Sequence, residues 1–413
     1  RDPLTSFDEW SKLLFAKVHD ERSTRNGDPR RFQVGSHETA TAVASRVHQL
    51  FVEAAELDPA IFPSGIRINL SDRKILEIVE VLQEISIVNT DVDAIGAAFE
   101  RFFGSVFRGE LGQYFTMRPI ARFTVAALDI DHTHYVVDPA AGSGGFLLET
   151  LLQVWRSIEA GFSGQLDIER IRTDFALHRV YGIEIHEILA RILKINLLLH
   201  HDGHTNIEGD RSCLDAEFTL PRLKAWSGKF DRVVGNPPFG DTVKAGDVDL
   251  LGTNSLDQFA VARGRVKAAS EHVITERSVD MLADGGRLGL VIPDGMLNNQ
   301  GDLSNCPQVR RFLSRNGAIE AIVSLPDHAF RKSGAQNKTS VLLFRKFTSA
   351  ERVRWEQAYK TVIDNGGAED EAYVSALAST RHQVFLADLE PISYNSVGQA
   401  ANRNDLYLQD DEG

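Results

Sequence analysis

Residues 136–146 read Val-Val-Asp-Pro-Ala-Ala-Gly-Ser-Gly-Gly-Phe, and this stretch decides the fold class of the chain. An apolar strand pattern ends at the aspartate, the glycines permit a sharp turn, and an apolar helix pattern begins at the phenylalanine. Such a turn brings backbone amides close to a ligand, and the helix N-terminus favours negative charge. No Gly-Lys-Ser/Thr follows, so a phosphate-binding loop is not supported. On this motif alone, a nicotinamide dinucleotide site remains an alternative.

The regions downstream of this stretch continue the alternation of strand and helix patterns. Seven strands are predicted, at residues 134–137, 180–185, 205–208, 232–234, 287–292, 318–324 and 339–344. Helical patterns separate most of them, which predicts an α/β fold with a seven-stranded, mainly parallel, doubly wound sheet. The last two strands are expected to form an antiparallel edge, and Gly285-Gly286 is expected to break the chain before the fifth strand.

The first hundred residues have a different pattern, in which apolar residues recur at helical spacing. Two apolar faces are visible, one formed by Trp10, Leu13, Leu14 and Val18 and the other by Val43, Val47, Leu50 and Phe51. The polar stretch 21–37 is predicted to be a loop, and a further helix is predicted at about 72–87. We interpret this region as a scaffold or a surface for a partner.

These patterns divide the chain into three predicted parts. They are an N-terminal helical domain at 1–105, an α/β domain at 106–348 and a partly disordered C-terminal extension at 349–413 that we expect to be helical or strand-poor. Residues 155–178 form an unusually long connection, which we expect to be an extended helix and a loop.

Composition restricts the class of protein further. The chain has 413 residues, of which 43% are hydrophobic, enough for two or three domains. Its two cysteines, Cys213 and Cys306, lie in no CxxC pattern, which argues against a disulfide framework or zinc site and favours a cytoplasmic setting. Residues 1–3 do not resemble a signal peptide, and we expect no membrane segment. The net charge is −13, and binding to nucleic acid depends largely on positive side chains. We therefore expect a partner to supply much of any affinity for nucleic acid.

Polar side chains stand at the ends of four successive predicted strands: Asp138, Glu184, Asp210 and Asn236. In an open α/β sheet, ligands bind beyond the carboxyl ends of the strands, where these four would converge. An acid at the second tip can accept hydrogen bonds from both ribose hydroxyls, and one at the third tip can accept from an adenine amine. Taken singly, each acid is better explained as a helix cap or turn residue; three acids on successive strand ends, followed by Asn236, favour a binding site.

The fourth tip continues as Asn236-Pro237-Pro238-Phe239. It supplies an amide, a carbonyl held extended by the following proline, and an aromatic face within four residues. Those groups suit binding of the exocyclic amine of a flat heterocycle with stacking on its ring. The tetrapeptide alone is equally compatible with a simple turn.

Taken together, these motifs resemble those of an S-adenosylmethionine-dependent DNA adenine-N6 methyltransferase. More narrowly, they resemble the modification (methylase) subunit of type I restriction-modification systems. Residues 112–116, 286–295, 325–330 and 337–344 are similar to further segments of that family, so the resemblance covers roughly 105–350. It implies a Rossmann-like methyltransferase domain.

The resemblance also implies roles for individual residues. The implied cofactor-binding set is Tyr114, Phe115, Thr116, Asp138, Pro139, Ala140, Gly142, Gly144, Glu184, Asp210, Arg211 and Asn236. Within it, Thr116 would contact the methionine part of S-adenosylmethionine through its hydroxyl, Glu184 would hold the ribose and Asp210 the adenine amine.

The implied catalytic residues are Asn236, Pro237, Pro238 and Phe239. The Asn236 oxygen and the Pro237 carbonyl would accept the two N–H bonds of the target amine, and Phe239 would stack on a base flipped out of the duplex. Positioning would supply most of the rate gain, and no metal is expected.

The implied partners are double-stranded DNA, a separate DNA-specificity subunit and a restriction subunit. Two alternatives remain open: a non-catalytic scaffold of a defence complex, and a methyltransferase acting on RNA or a protein glutamine. The DNA target cannot be read from the sequence, and neither can membership of a longer chain.

Overall fold

The protein is described by a computed structural model over residues 3–25, 27–57, 59, 61–62, 64–88, 116–161, 167–199, 204–247, 255–330, 338–390, 392–394 and 400–406. It forms two compact units. The first comprises Arg1–Gly112 and Glu187–Thr205, and the second comprises Gln113–His186 and Asn206–Gly413. The predicted boundaries at 105/106 and 348/349 remain predictions.

Helices of the described chain are α1 (Pro3–Ser23), α2 (Ala40–Leu57), α3 (Asp72–Leu82), α4 (Arg118–Ala127), α5 (Gly145–Gly161), α6 (Ile168–Arg179), α7 (Glu187–Leu199), α8 (Pro221–Lys224), α9 (Ser270–Met281), α10 (Asp294–Asn298), α11 (Cys306–Asn316), α12 (Ser349–Asp364) and α13 (Glu369–Thr380). The strands are β1 (Val136–Asp138), β2 (Val180–Glu184), β3 (Ile207–Gly209), β4 (Phe230–Gly235), β5 (Thr242–Lys244), β6 (Lys267–Ala269), β7 (Leu282–Pro293), β8 (Gly317–Ser324), β9 (Thr339–Lys346), β10 (Phe385–Asp388), β11 (Ile392–Tyr394) and β12 (Ala400–Asn404).

The first unit is helical, as predicted, and its core is the apolar faces of α1, α2 and α3. Helix α7 belongs to the same unit although it lies between β2 and β3 in sequence, because Ile192 and Ile195 pack into this core. The predicted loop at 21–37 starts too early. Helix α1 continues to Ser23 because Glu21 is neutralised by Lys17, 2.8 Å away, and accepts the amide protons of Ile87 and Val88.

The second unit is built on an eight-stranded sheet of order β10-β8-β9-β7-β4-β1-β2-β3. Neighbouring strands are parallel except for β9, which pairs antiparallel with both β7 and β8. All seven predicted strands are present, and the predicted antiparallel pair is β8–β9. The carboxyl ends of β1, β2, β3 and β4 therefore lie along one edge.

The predicted count of seven strands is wrong, because β10 adds an eighth beyond β8. The C-terminal extension, predicted to be helical or strand-poor, contains the helices α12 and α13 and also the short strands β10–β12. Strand β10 was missed because the apolar run within it is only three residues long, and Phe385 and Leu386 are 64% and 69% exposed at the edge of the sheet.

The glycine pair 285–286 does not break the chain before the fifth strand, because β7 runs through it. The ladder with β4 shifts register there, pairing Phe230 with Leu282 and then Arg232 with Arg287. Gly285 has a φ of +77°, which favours glycine. The pair therefore forms a bulge within a continuous strand.

The long connection at 155–178 contains the end of α5 and most of a second helix, α6, within its described residues. The expectation of one extended helix and a loop therefore missed α6. Helix α5 buries Leu147, Leu151 and Ile158, which fixes the start of this helix against the sheet at the Gly-rich turn.

Candidate active site

The tip of β1 holds a buried carboxyl group next to a tight turn. Asp138 is 1% exposed, and its Oδ1 accepts the amide proton of Ala140 at 3.0 Å across the intervening Pro139. The turn then uses Gly142 and Gly144 at φ values of +54° and +92°. A Cβ added to Gly142 would meet no atom within 4 Å, so the turn borders open space.

The tip of β2 is bonded to this turn. The Oε2 of Glu184 accepts the amide proton of Gly142, and its Oε1 accepts that of His186, both at 2.8 Å. A backbone bond of 2.9 Å from the Ala141 amide to the Ile183 carbonyl reinforces the junction. The predicted turn and the predicted ribose-binding acid therefore form one hydrogen-bonded structure.

Burial perturbs the acidity of both carboxyl groups. The pKa of Asp138 is raised to about 8, chiefly by burial and to a smaller extent by the charge of Glu184, while the hydrogen bond from the Ala140 amide acts in the opposite direction. Burial also raises the pKa of Glu184, although the His186 and Gly142 amides act in the opposite direction. Two acids with raised pKa values beside an open space favour a ligand that carries positive charge and hydrogen-bond donors.

The tip of β3 is more open. Asp210 is exposed and adopts a left-handed conformation with a φ of +58°. Arg211 is also exposed, and its amide points to the Glu184 carbonyl at 3.5 Å, which links the tips of β2 and β3. Asp210 thus lies beside the Glu184 turn, with its carboxylate accessible.

The tip of β4 approaches β1 closely. A Cβ added to Gly235 would lie 2.8 Å from the Asp138 Oδ1, so only glycine fits there without moving the carboxyl group. The next residue, Asn236, donates a 2.8 Å hydrogen bond from its Nδ2 to the Oγ1 of Thr116. Thr116, Asp138 and Asn236 are therefore brought to one place.

The loop after Asn236 is braced by the N-terminus of α9. The Ser270 hydroxyl donates a 2.9 Å hydrogen bond to the Pro238 carbonyl, and the Ser270 amide donates to Asp241. Phe239 is only 5% exposed, and its ring stands edge-on to that of Phe330 with centroids 6.4 Å apart. In this conformation the face that was predicted to stack on a base is largely covered.

Thr116 lies two residues before helix α4, whose start is joined to α5. Arg118, at the start of α4, donates a 2.8 Å hydrogen bond from Nε to the buried Glu149 of α5. Two predicted cofactor residues, Tyr114 and Phe115, lie outside the described residues.

Sequence reasoning missed the bracing groups Ser270, Arg118 and Glu149. A serine at the first position of a helix and a glutamate inside the apolar α5 were the available signals. Neither signal names the partner, because Ser270 and Pro238 are 32 residues apart in sequence.

Among the described residues, no group of three or more His, Cys, Asp or Glu side chains could hold a metal ion. A search of the same part of the chain found no helix that is long and apolar enough to span a membrane.

Comparison with known proteins identifies the family. Residues 90–370 match the profile of the N-6 DNA methylase family, which covers more than half of the chain. The chain belongs to this family. The sequence resemblance to this family is thereby confirmed.

Two curated relatives of this N-6 DNA methylase are type I restriction enzyme methylase subunits. The EcoKI subunit of Escherichia coli strain K12 is 30% identical over 268 residues, covering 60% of this chain and 45% of the relative. The EcoEI subunit of Escherichia coli is 24% identical over 287 residues, which cover 67% of this chain and 53% of the relative. The chain thus spans about half the length of the curated relatives that it matches.

Solved structures share the fold of this N-6 DNA methylase. A chain from a type I restriction-modification system aligns with a TM-score of 0.58 at 20% identity, covering 90% of this chain and 80% of that one. A type I restriction-modification methyltransferase subunit from Streptococcus thermophilus aligns with a TM-score of 0.56 at 16% identity, and the alignment covers 92% of this chain and 94% of that one. An α/β methyltransferase fold with a mostly parallel sheet agrees with the predicted class.

Proposed function

We propose that this chain transfers the methyl group of S-adenosylmethionine to the N6 amine of a flipped-out adenine in DNA. The observation that carries the proposal is the position of Asn236-Pro237-Pro238-Phe239 directly after Gly235, whose Cα lies against the buried carboxyl group of Asp138. An amine-binding loop and a pair of buried acids thus share one edge of the sheet. Membership of the N-6 DNA methylase family supports this assignment.

The site residues fit S-adenosylmethionine. The open space at Gly142 leaves room for the methionine part, and Asp138 offers a buried acceptor to its ammonium group. Glu184 can accept from the ribose hydroxyls, because each carboxylate oxygen has a further lone pair beyond its amide bond. The exposed Asp210 would accept from the adenine amine, beside Arg211. When bound, the cofactor supplies an electrophilic methyl group on a sulfonium.

The residues of the chain would activate the acceptor by position. Adenine N6 is a weak nucleophile because its lone pair is delocalised into the ring. If the Asn236 oxygen and the Pro237 carbonyl accept its two N–H bonds, the nitrogen becomes more tetrahedral and its lone pair is aligned for attack. The new N–CH3 bond forms as the S–CH3 bond breaks, and one N–H proton leaves to solvent. Rate gain of this kind comes from orientation and fixed dipoles.

Phe239 would stack on the flipped base, a contact worth about 1–3 kcal/mol. Phe239 is only 5% exposed in this structure, so its ring would have to move or be uncovered for a base to stack on it. Base stacking is tolerant of sequence and cannot select a target.

The partners of the site are part of the same proposal. Similarity to type I methylase subunits supports double-stranded DNA as substrate, a separate specificity subunit and, in the complete system, a restriction subunit. The net charge of −13 agrees with a partner that supplies much of the grip on DNA. Modification of chromosomal DNA would place the activity in the cytoplasm.

The test is nucleoside mass spectrometry of DNA incubated with S-adenosylmethionine and the protein, with and without a candidate specificity subunit from a neighbouring gene. We expect N6-methyladenine with wild-type protein and none with Asn236→Ala. A matched control is Asn365→Ala, since Asn365 lies exposed at the end of α12. Methylated RNA or glutamine in place of N6-methyladenine would contradict the proposed acceptor.

A further inference from the structure

One contact of the site has no counterpart among the roles implied by the sequence. Thr116 and Asn236 are 120 residues apart in the chain, and their side chains are joined by a 2.8 Å hydrogen bond from the Asn236 Nδ2 to the Thr116 Oγ1. The resemblance assigns the Thr116 hydroxyl to the cofactor and the Asn236 oxygen to the target amine. The structure joins these two functions through one bond.

The direction of this bond determines whether the acceptor site can work. An asparagine amide is a donor at Nδ2 and an acceptor at Oδ1. The target amine must meet the oxygen, so the nitrogen must be used elsewhere. When Nδ2 donates to Thr116, the oxygen is the end of the amide that remains for the amine.

A hydroxyl group alone cannot enforce that direction, because it can donate or accept. If the proton of Thr116 turns toward Asn236, the amide is equally stable when rotated by half a turn, with its oxygen toward Thr116. The Thr116 proton must therefore be held by a third group for the amide direction to be unique.

We propose that Thr116 is a positioning residue that orients the Asn236 amide, and that the carboxylate of the cofactor sets this orientation by accepting the Thr116 proton. The inference rests on the proposed function. The cofactor's amino-acid end is expected beside Asp138, which contacts Gly235, the residue before Asn236. A carboxylate only accepts hydrogen bonds, so the hydroxyl then faces Asn236 as an acceptor. Cofactor binding thus prepares the site for the target amine.

Calorimetry with S-adenosylhomocysteine tests the first half of this relay without any methyl transfer. Thr116→Val keeps the shape of the side chain and removes the hydroxyl. We expect it to weaken binding about tenfold, the loss of one hydrogen bond to a charged group. Thr116→Ser should restore the affinity. With 5′-methylthioadenosine, which lacks the amino-acid part, all three proteins should bind equally.

A double-mutant cycle tests the second half. Asn236→Asp places a hydrogen-bond acceptor against Thr116. The Thr116 hydroxyl then donates its proton to residue 236 and no longer donates to the carboxylate of the cofactor. We expect this change to weaken S-adenosylhomocysteine binding about tenfold beyond any charge repulsion when Thr116 is present. The same change in the Thr116→Val background should show only the repulsion. Asn236→Ala should bind nearly as wild type.

The outcomes separate the relay from the proposed function. A non-additive cycle with rescue by Thr116→Ser supports the relay. Additive effects of Thr116→Val and Asn236→Asp overturn it, as does equal weakening by Thr116→Val and Thr116→Ser. If wild-type protein binds neither S-adenosylhomocysteine nor S-adenosylmethionine, the proposed function fails and the relay fails with it. Matching thermal unfolding midpoints of the variants exclude loss of fold as the cause.

Discussion

Replacing Asp138 with asparagine should make the cofactor-free protein more stable while it weakens cofactor binding. Asparagine keeps an acceptor oxygen for the Ala140 amide, which is 3.0 Å from the Asp138 Oδ1. It also resembles the protonated carboxyl group in shape and carries no charge. The substitution therefore removes the cost of a buried negative charge and leaves the turn intact.

The size of the effect follows from the pKa of Asp138, which rises from 3.8 to about 8 on folding. Because the folded state holds the proton more tightly, this acid favours folding below pH 3.8. Its contribution is lost as the pH rises to about 8, and it is constant above that. At about 1.4 kcal/mol per pKa unit, a shift of this size corresponds to several kcal/mol of stability lost between about pH 4 and pH 8.

The assay is urea denaturation of wild type and Asp138→Asn at several pH values. We expect the two proteins to be equally stable near pH 4 and the variant to be more stable by at least about 1 kcal/mol at pH 8. Glu208→Gln is a control variant for which we expect the opposite change in the free energy of unfolding. Glu208 is buried and accepts hydrogen bonds from Thr219 and Leu220, so a side-chain amide donor placed there should destabilise the protein.

Binding of S-adenosylhomocysteine provides the second readout for Asp138. Its ammonium group should draw the proton from Asp138, so wild-type protein should release a proton on binding near pH 7. Calorimetry in buffers of different ionisation enthalpy measures this release. Asp138→Asn should bind more weakly and release less. An Asp138→Asn protein with wild-type stability at pH 8 and wild-type affinity would show that Asp138 neither carries a costly buried charge nor binds the ammonium group.

The other predictions concern the loop after β4 and its supports. Ser270→Ala removes the 2.9 Å hydrogen bond to the Pro238 carbonyl. We expect kcat to fall about tenfold, which corresponds to a rise of about 1.4 kcal/mol in the activation free energy, while S-adenosylhomocysteine affinity in calorimetry stays unchanged. A loss of affinity would contradict a role limited to the loop. Gly235→Ala places a Cβ 2.8 Å from the Asp138 Oδ1 and should weaken cofactor binding at least about tenfold, whereas Gly246→Ala, whose Cβ meets nothing within 4 Å, should not. Equal affinities of the two glycine variants would show that the carboxyl group moves freely.

Much of the sheet could be predicted because strands that are covered on both faces contain continuous apolar runs. Such runs occur in β1, β2, β4, the second half of β7 and β9, and each of these strands was predicted from its run. Strand β10 was not predicted, because the apolar run within it is only three residues long and it lies exposed at the edge of the sheet.

The strand-tip residues could be predicted for a topological reason. Once the order of strands is accepted, Asp138, Glu184 and Asn236 must stand at one edge, and the structure links their turns by hydrogen bonds and close packing. Contacts between distant segments could not be predicted. The bonds from Asn236 to Thr116 and from Ser270 to Pro238 depend on the tertiary path of the chain.

If Asn236 binds the target adenine amine, its side chain is needed for methyl transfer and is not needed for cofactor binding. Mass spectrometry counts N6-methyladenine in DNA after incubation with S-adenosylmethionine, a specificity subunit and either wild-type or Asn236→Ala protein, while calorimetry follows S-adenosylhomocysteine binding. We expect N6-methyladenine with wild type, none with Asn236→Ala, and nearly equal cofactor affinity in both. Equal methylation by the two proteins would contradict the role of Asn236.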